Sequence, residues 1–223
     1  MPTSLDSITI PQLMSFTDTD EQFLFCNSNT THKVIAFASE TVLQILSENH
    51  HWNADGTFRT APSLFSQAYY IHVWDEYSMK PMFSMQEKNI TLKPFSILID
   101  FEQSSINAIN KVFPSTKVKC CHFHYAQNIW KKLKKYDLVK LSKEEHIRRQ
   151  IANIISLPLV PTNEINNCME QIIDVLCNID SKFEKFTDYV LNNYVEDARS
   201  SSDIWNHFDS IGERSHTNSH VEG

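Results

Sequence analysis

The sequence predicts an α/β protein, a mixed β-sheet followed by a long α-helical insertion. Three observations carry this. Phe95-Ser96-Ile97-Leu98-Ile99-Asp100 is a compact apolar run ending in an acid, the pattern of a buried, parallel-type strand. A helical stretch and another strand-like run follow it, which makes a strand–helix–strand unit. From Tyr125 onward the apolar residues recur at helical spacing.

In chain order, residues 1–20 are polar and read as a flexible lead-in. Gln22 to Cys26 and Lys33 to Phe37 are β runs around turn-forming Asn27-Ser28-Asn29-Thr30-Thr31, so 22–37 reads as a hairpin. Ser39 is placed to cap a helix over 40–48, with Val42, Leu43, Ile45 and Leu46 on its apolar face. Trp52 to Phe58 leads to a strand over Phe65–Trp74, rich in aromatic and β-branched residues. Pro81 to Met85 reads as a further strand, and Gln86 to Pro94 has no helical period. After the 95–100 run, Ser104 to Phe113 carries Ile106, Ile109 and Phe113 on one side, and Pro114 stops it. Lys117 to Phe123 is the next strand. Ile129, Trp130 and Leu133 mark a helix whose other face holds Lys131, Lys132, Lys134 and Lys135. Ser142 and Glu145 have capping-box spacing ahead of Ile147, Ile151 and Ile154. Glu164 to Leu176 is another helix, and Ser181 with Glu184 opens a last one carrying Phe183, Phe186, Val190 and Tyr194. Ala198 to Ser210 is polar and reads as a loop.

Bulk composition limits the function classes. With 223 residues, 41% hydrophobic and 21% charged, the chain reads as globular, long enough for one large domain or two small ones. A formal charge of −7 argues against a surface built to coat nucleic acid, which needs clustered Lys and Arg. It leaves open a nuclease-type site in which metal ions supply the positive charge. The five cysteines are odd in number and unevenly spaced. Residues 1–11 lack a basic start and a long apolar run, and no stretch approaches the ~18 apolar residues of a membrane span. The expectation is a protein with reduced thiols, nuclear or cytoplasmic, not secreted and without a membrane partner.

Three acids hold the chemical interest. Asp55 stands beside Gly56, one of only three glycines. An acid at a strand end next to a flexible residue suits a hard cation, although on local pattern alone Asp-Gly reads more readily as a turn. Asp100 ends the buried run. Glu222 follows the helical stretch. Phosphodiester chemistry with two divalent ions, roughly 3.5–4 Å apart, needs such a group of carboxylates, and Mg²⁺ prefers carboxylate oxygen and water. A chain with 27 acids yields many such triples, so the grouping alone is unspecific.

Ordered motifs make it specific. They are Asp55-Gly56-Thr57-Phe58 with Pro62, Phe65 and Gln67; Ile99-Asp100-Phe101-Glu102 with Ala108-Ile109 and Phe113-Pro114; Cys121-His122-Phe123-His124 with Gln127 and Trp130; and Arg214, Thr217-Asn218 and Val221-Glu222-Gly223. Over residues 20–223 the sequence resembles the catalytic domain of Mutator-like (MULE-type) DDE transposases. The resemblance implies a ribonuclease-H-like mixed sheet interrupted by helices. It implies Mg²⁺- or Mn²⁺-dependent cleavage of transposon ends and strand transfer at a two-ion site. By motif position, Asp55, Asp100 and Glu222 would be the metal-binding, catalytic acids. The partners implied are DNA and further copies of the chain. The expected organisation is a lead-in over 1–20, hairpin and helix over 21–50, catalytic core over 51–130, helical insertion over 131–210 and the start of the third-acid segment over 211–223.

Cys121 and His124 match the family's Cys-x-x-His signature. Structural zinc needs four ligands and the sequence offers this one pair, so zinc is not expected and the pair is read as orienting a strand-to-helix turn. Cys26, Cys168 and Cys177 read as core fillers. The four lysines read as a solvated helix face, Tyr69, Tyr70 and Trp74 as sheet packing, and His50 and His51 as surface residues. Glu102 is open between support for the acids and an exposed charge at a helix start.

Two departures from the family qualify the expectation. Only 28 positions separate His72 from Asp100, and a helix that the family places there has no counterpart. The chain also stops one residue after Glu222, so the fold is expected to be incomplete at the C-terminus and the third acid poorly held. The reading is a shortened, transposase-derived domain whose catalysis is in doubt. Its alternative is a domesticated, non-catalytic module that binds DNA or protein.

Overall fold

The computed structural model describes residues 3–28, 33–57, 61–75, 78–82, 92–196 and 201–212. The chain divides into two compact units, Met1–Val118 and Lys119–Gly223.

In the first unit β1 (Leu24–Asn27) and β2 (Ile35–Phe37) form the expected antiparallel hairpin. Helix α1 (Glu40–Glu48) starts where the sequence places it: the Ser39 hydroxyl accepts from the Val42 amide at 3.3 Å. Leu43 and Leu46 bury its inner face. The main sheet has five strands, β3 (His51–Thr57), β4 (Ala68–Asp75), β5 (Ser78–Met82), β6 (Ser96–Ile99) and β7 (Lys117–Cys120), in the order β5-β4-β3-β6-β7. β3 pairs antiparallel with β4 and parallel with β6, and β4 pairs antiparallel with β5. Every residue of β6 is buried, as its unbroken apolar run requires. Trp52 fixes α1 to the sheet: its indole N–H donates to the Leu46 and Asn49 carbonyls at 3.2 and 2.8 Å, and its ring meets Phe113 edge-on at 5.6 Å. Helix α2 (Gln103–Val112) links β6 to β7 and buries Ile106.

Four sequence expectations change here. β4 begins at Ala68, not Phe65, and β5 lies at Ser78–Met82, ahead of the 81–85 run, whose residues 83–85 fall outside the described ones. Asp55 and Gly56 lie inside β3, so the turn reading of Asp-Gly is wrong. β7 ends at Cys120 and the following helix begins at His122, so the strand expected over Lys117–Phe123 is shorter.

The second unit is helical: α3 (His122–Lys135), α4 (Glu145–Ser156), α5 (Ile165–Cys177), α6 (Lys182–Val190), which runs on into a wider π turn at Leu191–Val195, and α7 (Ser202–Trp205). Their apolar stripes meet in a core that includes Tyr125, Ile129, Leu133, Ile151, Phe183 and Phe186, each 2% exposed or less. The Ser142–Glu145 capping box does not form. Ser142 turns its hydroxyl to the Val139 carbonyl at 2.8 Å, and Glu144 takes the N-cap position. Ser181 does not cap α6 with its side chain; the Asp180 carboxylate accepts from the Lys182 amide at 2.8 Å instead. The supposed loop 198–210 is also corrected. Trp205, Asn206 and His207 are each at most 4% exposed. Trp205 stacks on Tyr125 with centroids 5.8 Å apart and meets Tyr194 edge-on at 6.0 Å. Asn206 donates to the Val160 carbonyl at 2.8 Å, and the His207 Nε2–H donates to the Cys120 carbonyl at 2.9 Å. No helix among the described residues is long and apolar enough to cross a membrane.

Candidate active site at the ends of two parallel strands

The β3–β6 register decides what the sheet brings together. His51 pairs with Ser96, Trp52 with Ile97 and Asn53 with Leu98. The same offset carried two residues past the last of these pairs sets Asp55, in β3, level with Asp100, just past the end of β6. Neighbouring strands place equivalent residues about 4.8 Å apart. Both residues are half-buried.

Glu102, the N-cap residue of α2, adjoins this pair. Its backbone N–H donates to Asp100 Oδ1 at 3.2 Å. Its carboxylate accepts from the Ser104 hydroxyl at 2.7 Å, the Ser105 hydroxyl at 3.2 Å and Gln67 Nε2 at 3.1 Å. The Ser104 hydrogen bond holds the Glu102 carboxyl below its usual range, partial burial opposes this, and Gln67 and Ser105 add to the lowering. Glu102 is therefore an engaged acid beside Asp100.

Gly56 explains how Gln67 reaches Glu102. A Cβ at residue 56 would collide with the Gln67 side-chain amide nitrogen, lie 2.8 Å from its Cδ and 3.0 Å from Tyr69 Cδ2. The glycine serves close approach, not a turn. Tyr69, directly across from Gly56 on β4, was read as sheet packing, yet its hydroxyl is buried without a hydrogen bond of good geometry. Burial pushes its pKa up to about 12; Ser105 pulls it down, and the charges of Asp100, Glu102 and Asp55 raise it further. All three carboxylates thus lie within electrostatic reach of one phenol. The order of residues around Tyr69 gave no signal for this, because it depends on strand pairing.

The donor chemistry fits a hard divalent cation through the two carboxylates from neighbouring strands; the Tyr69 hydroxyl beside them stays protonated and is a hydrogen-bond donor, not a ligand. Among the described residues no three His, Cys, Asp or Glu side chains form a metal-holding group. Glu222 lies outside the described residues. Cys121 and His124 fall at the N-cap and in the first turn of α3; Cys121 is fully buried, and the His124 ring meets Phe123 at 5.7 Å. All five cysteines are thiols, with Cys26, Cys168 and Cys177 half-buried. His51 is exposed and its Nδ1 lies 2.8 Å from the Ser96 hydroxyl. Of the four lysines, Lys132 packs its ammonium 4.1 Å from the Tyr189 ring centroid.

The first unit is thus a mixed-sheet α/β domain with two aspartates at matching offsets of adjacent parallel strands. Residues 74–128 match the family model of the MULE transposase domain, a match that supports a Mutator-like transposase-derived domain. The matched span includes Asp100, Glu102, Cys121 and His124, and begins after Asp55. No curated protein and no solved structure matches the chain.

Proposed function

We propose that this chain is a ribonuclease-H-like domain of transposase descent, with a divalent-cation site for phosphodiester cleavage in DNA built on Asp55 and Asp100. The observation that carries the reading is their common register on parallel strands, which brings together two acids separated by 45 residues. The strand order supports it, since β3 is flanked by an antiparallel partner on one side and a parallel partner on the other. Asp55 and Asp100 bind Mg²⁺ or Mn²⁺, and Glu222 is the third ligand. A divalent pair in such a site supplies charge stabilisation at the attacking and leaving oxygens of an in-line displacement. The chain's own part is to hold the carboxylates in place. Glu102 does so through its backbone N–H to Asp100. Tyr69 keeps its proton at neutral pH and presents a donor beside the acids. The DNA partner is the end of a transposable element.

A nicking assay on supercoiled plasmid tests the reading. Wild type is expected to nick with Mg²⁺ or Mn²⁺ and not with EDTA, and Asp55→Ala and Asp100→Ala are each expected to abolish nicking. Wild type that does not nick with either ion would leave the domesticated binding module as the better reading.

A further inference from the structure

Glu102 sits at the N-cap of α2, where an acidic side chain ordinarily accepts from the first helical amides. It makes no such side-chain cap. Its carboxylate turns to the Ser104 and Ser105 hydroxyls and across to Gln67, 35 residues away in the chain. Gln67 reaches it only because residue 56 has no side chain. The same residue that receives Gln67 gives its backbone N–H to Asp100. The chain of contacts therefore runs from the β3 backbone through Gln67 and Glu102 to the Asp100 carboxylate.

The geometry points to Gln67 and Glu102 as a positioning pair that sets the orientation of Asp100 for cation binding, with Gly56 as the clearance that admits Gln67. This rests on the reading of Asp55 and Asp100 as cation ligands. The pair touches neither cation nor substrate. It ties the start of β4 to the β6–α2 turn, where Asp100 presents Oδ1 to the Glu102 amide. Outer contacts of this kind hold ligands in the geometry the metal needs, and their loss typically weakens binding about 10–100-fold.

Mn²⁺ titration of the full chain, followed by electron paramagnetic resonance, tests it, with melting in EDTA recorded for each protein. Gln67→Met keeps the side-chain volume and removes the donor. It is expected to weaken Mn²⁺ binding by about tenfold or more and to broaden the bound-ion spectrum. Gly56→Ala, which displaces Gln67, is expected to do the same. Gln67→Glu sets two carboxylates against each other and weakens binding further. Adding Glu102→Gln restores a donor and an acceptor with reversed polarity, and is expected to bring affinity back to within about threefold of wild type, the coupling expected of contacting residues. A merely structural role would restore melting without restoring the bound-ion spectrum, and that result overturns the inference. Gln67→Met binding as wild type does, while Asp100→Asn loses Mn²⁺, also overturns it and leaves the cation reading intact. Wild type that binds no Mn²⁺, or Asp55→Asn and Asp100→Asn variants that bind normally, would overturn both.

Discussion

His72 shows how one side chain ties the sheet to pH. It lies in β4 opposite Asn53, is 3% exposed, and its Nδ1 has no hydrogen-bond partner. Burial lowers its pKa from the ordinary 6.5, because the interior disfavours the charged ring. The unfolded chain therefore takes up a proton at higher pH than the folded one. The stability associated with a neutral His72 is complete above about 6.5 and is lost as pH falls from there through the folded-state pKa. Urea unfolding at pH 7.5, 6.5 and 5.5 is expected to show wild type losing more stability across the series than His72→Leu. Equal slopes for the two proteins would show that His72 carries no pH dependence. Tyr69, three residues before His72 on β4, teaches a related lesson. A buried phenol among carboxylates keeps its proton, and so acts as a donor throughout the physiological range.

Among the elements, α7 and its neighbours were least legible. Residues 198–210 are polar, and polarity reads as a loop. Trp205 was the one cue to burial: a lone indole in a polar stretch. Its ring completes an aromatic cluster in which Tyr125 and Tyr194 meet with centroids 4.8 Å apart, and Tyr125 donates to the Ile154 carbonyl at 3.0 Å. Trp205→Ala is expected to destabilise the helical unit by about 3–5 kcal/mol, as loss of a buried aromatic side chain does, and Trp205→Phe by clearly less. Chemical unfolding followed by circular dichroism measures both, and a loss below about 1 kcal/mol for Trp205→Ala would contradict the packing described. The better-read elements share a cause. β6, α1 and α2 announce themselves locally, through an unbroken apolar run, a cap and a helical stripe. The caps expected at Ser142 and Ser181 fail for local reasons: α4 starts after Glu144 while the Ser142 hydroxyl donates to the Val139 carbonyl, and the Asp180 carboxylate accepts from the Lys182 amide. At the site, motif order pointed to Asp55 and Asp100. Their adjacency, and the role of Gly56 as a space for Gln67, depend on pairing between distant strands and could not be read locally.

For the molecule as a whole, the two units differ in how far their contacts reach along the chain. The helices of the second unit are connected by short segments, whereas the parallel pairing of β3 with β6 closes a span of 45 residues. Closing such a span costs chain entropy before any contact repays it, so non-local parallel pairing forms slowly compared with local helices. The proposed cation site is therefore a late product of folding. In stopped-flow refolding with Mn²⁺ present, helical signal is expected to recover in the fast phase and ion capture only in a slower one; capture in the fast phase would contradict this order. A full-length chain refolding from denaturant would accordingly acquire its helices before it could engage a cation. The carboxylate pair thus carries a delay of its own, set by the distance in sequence between two strands that end up as neighbours.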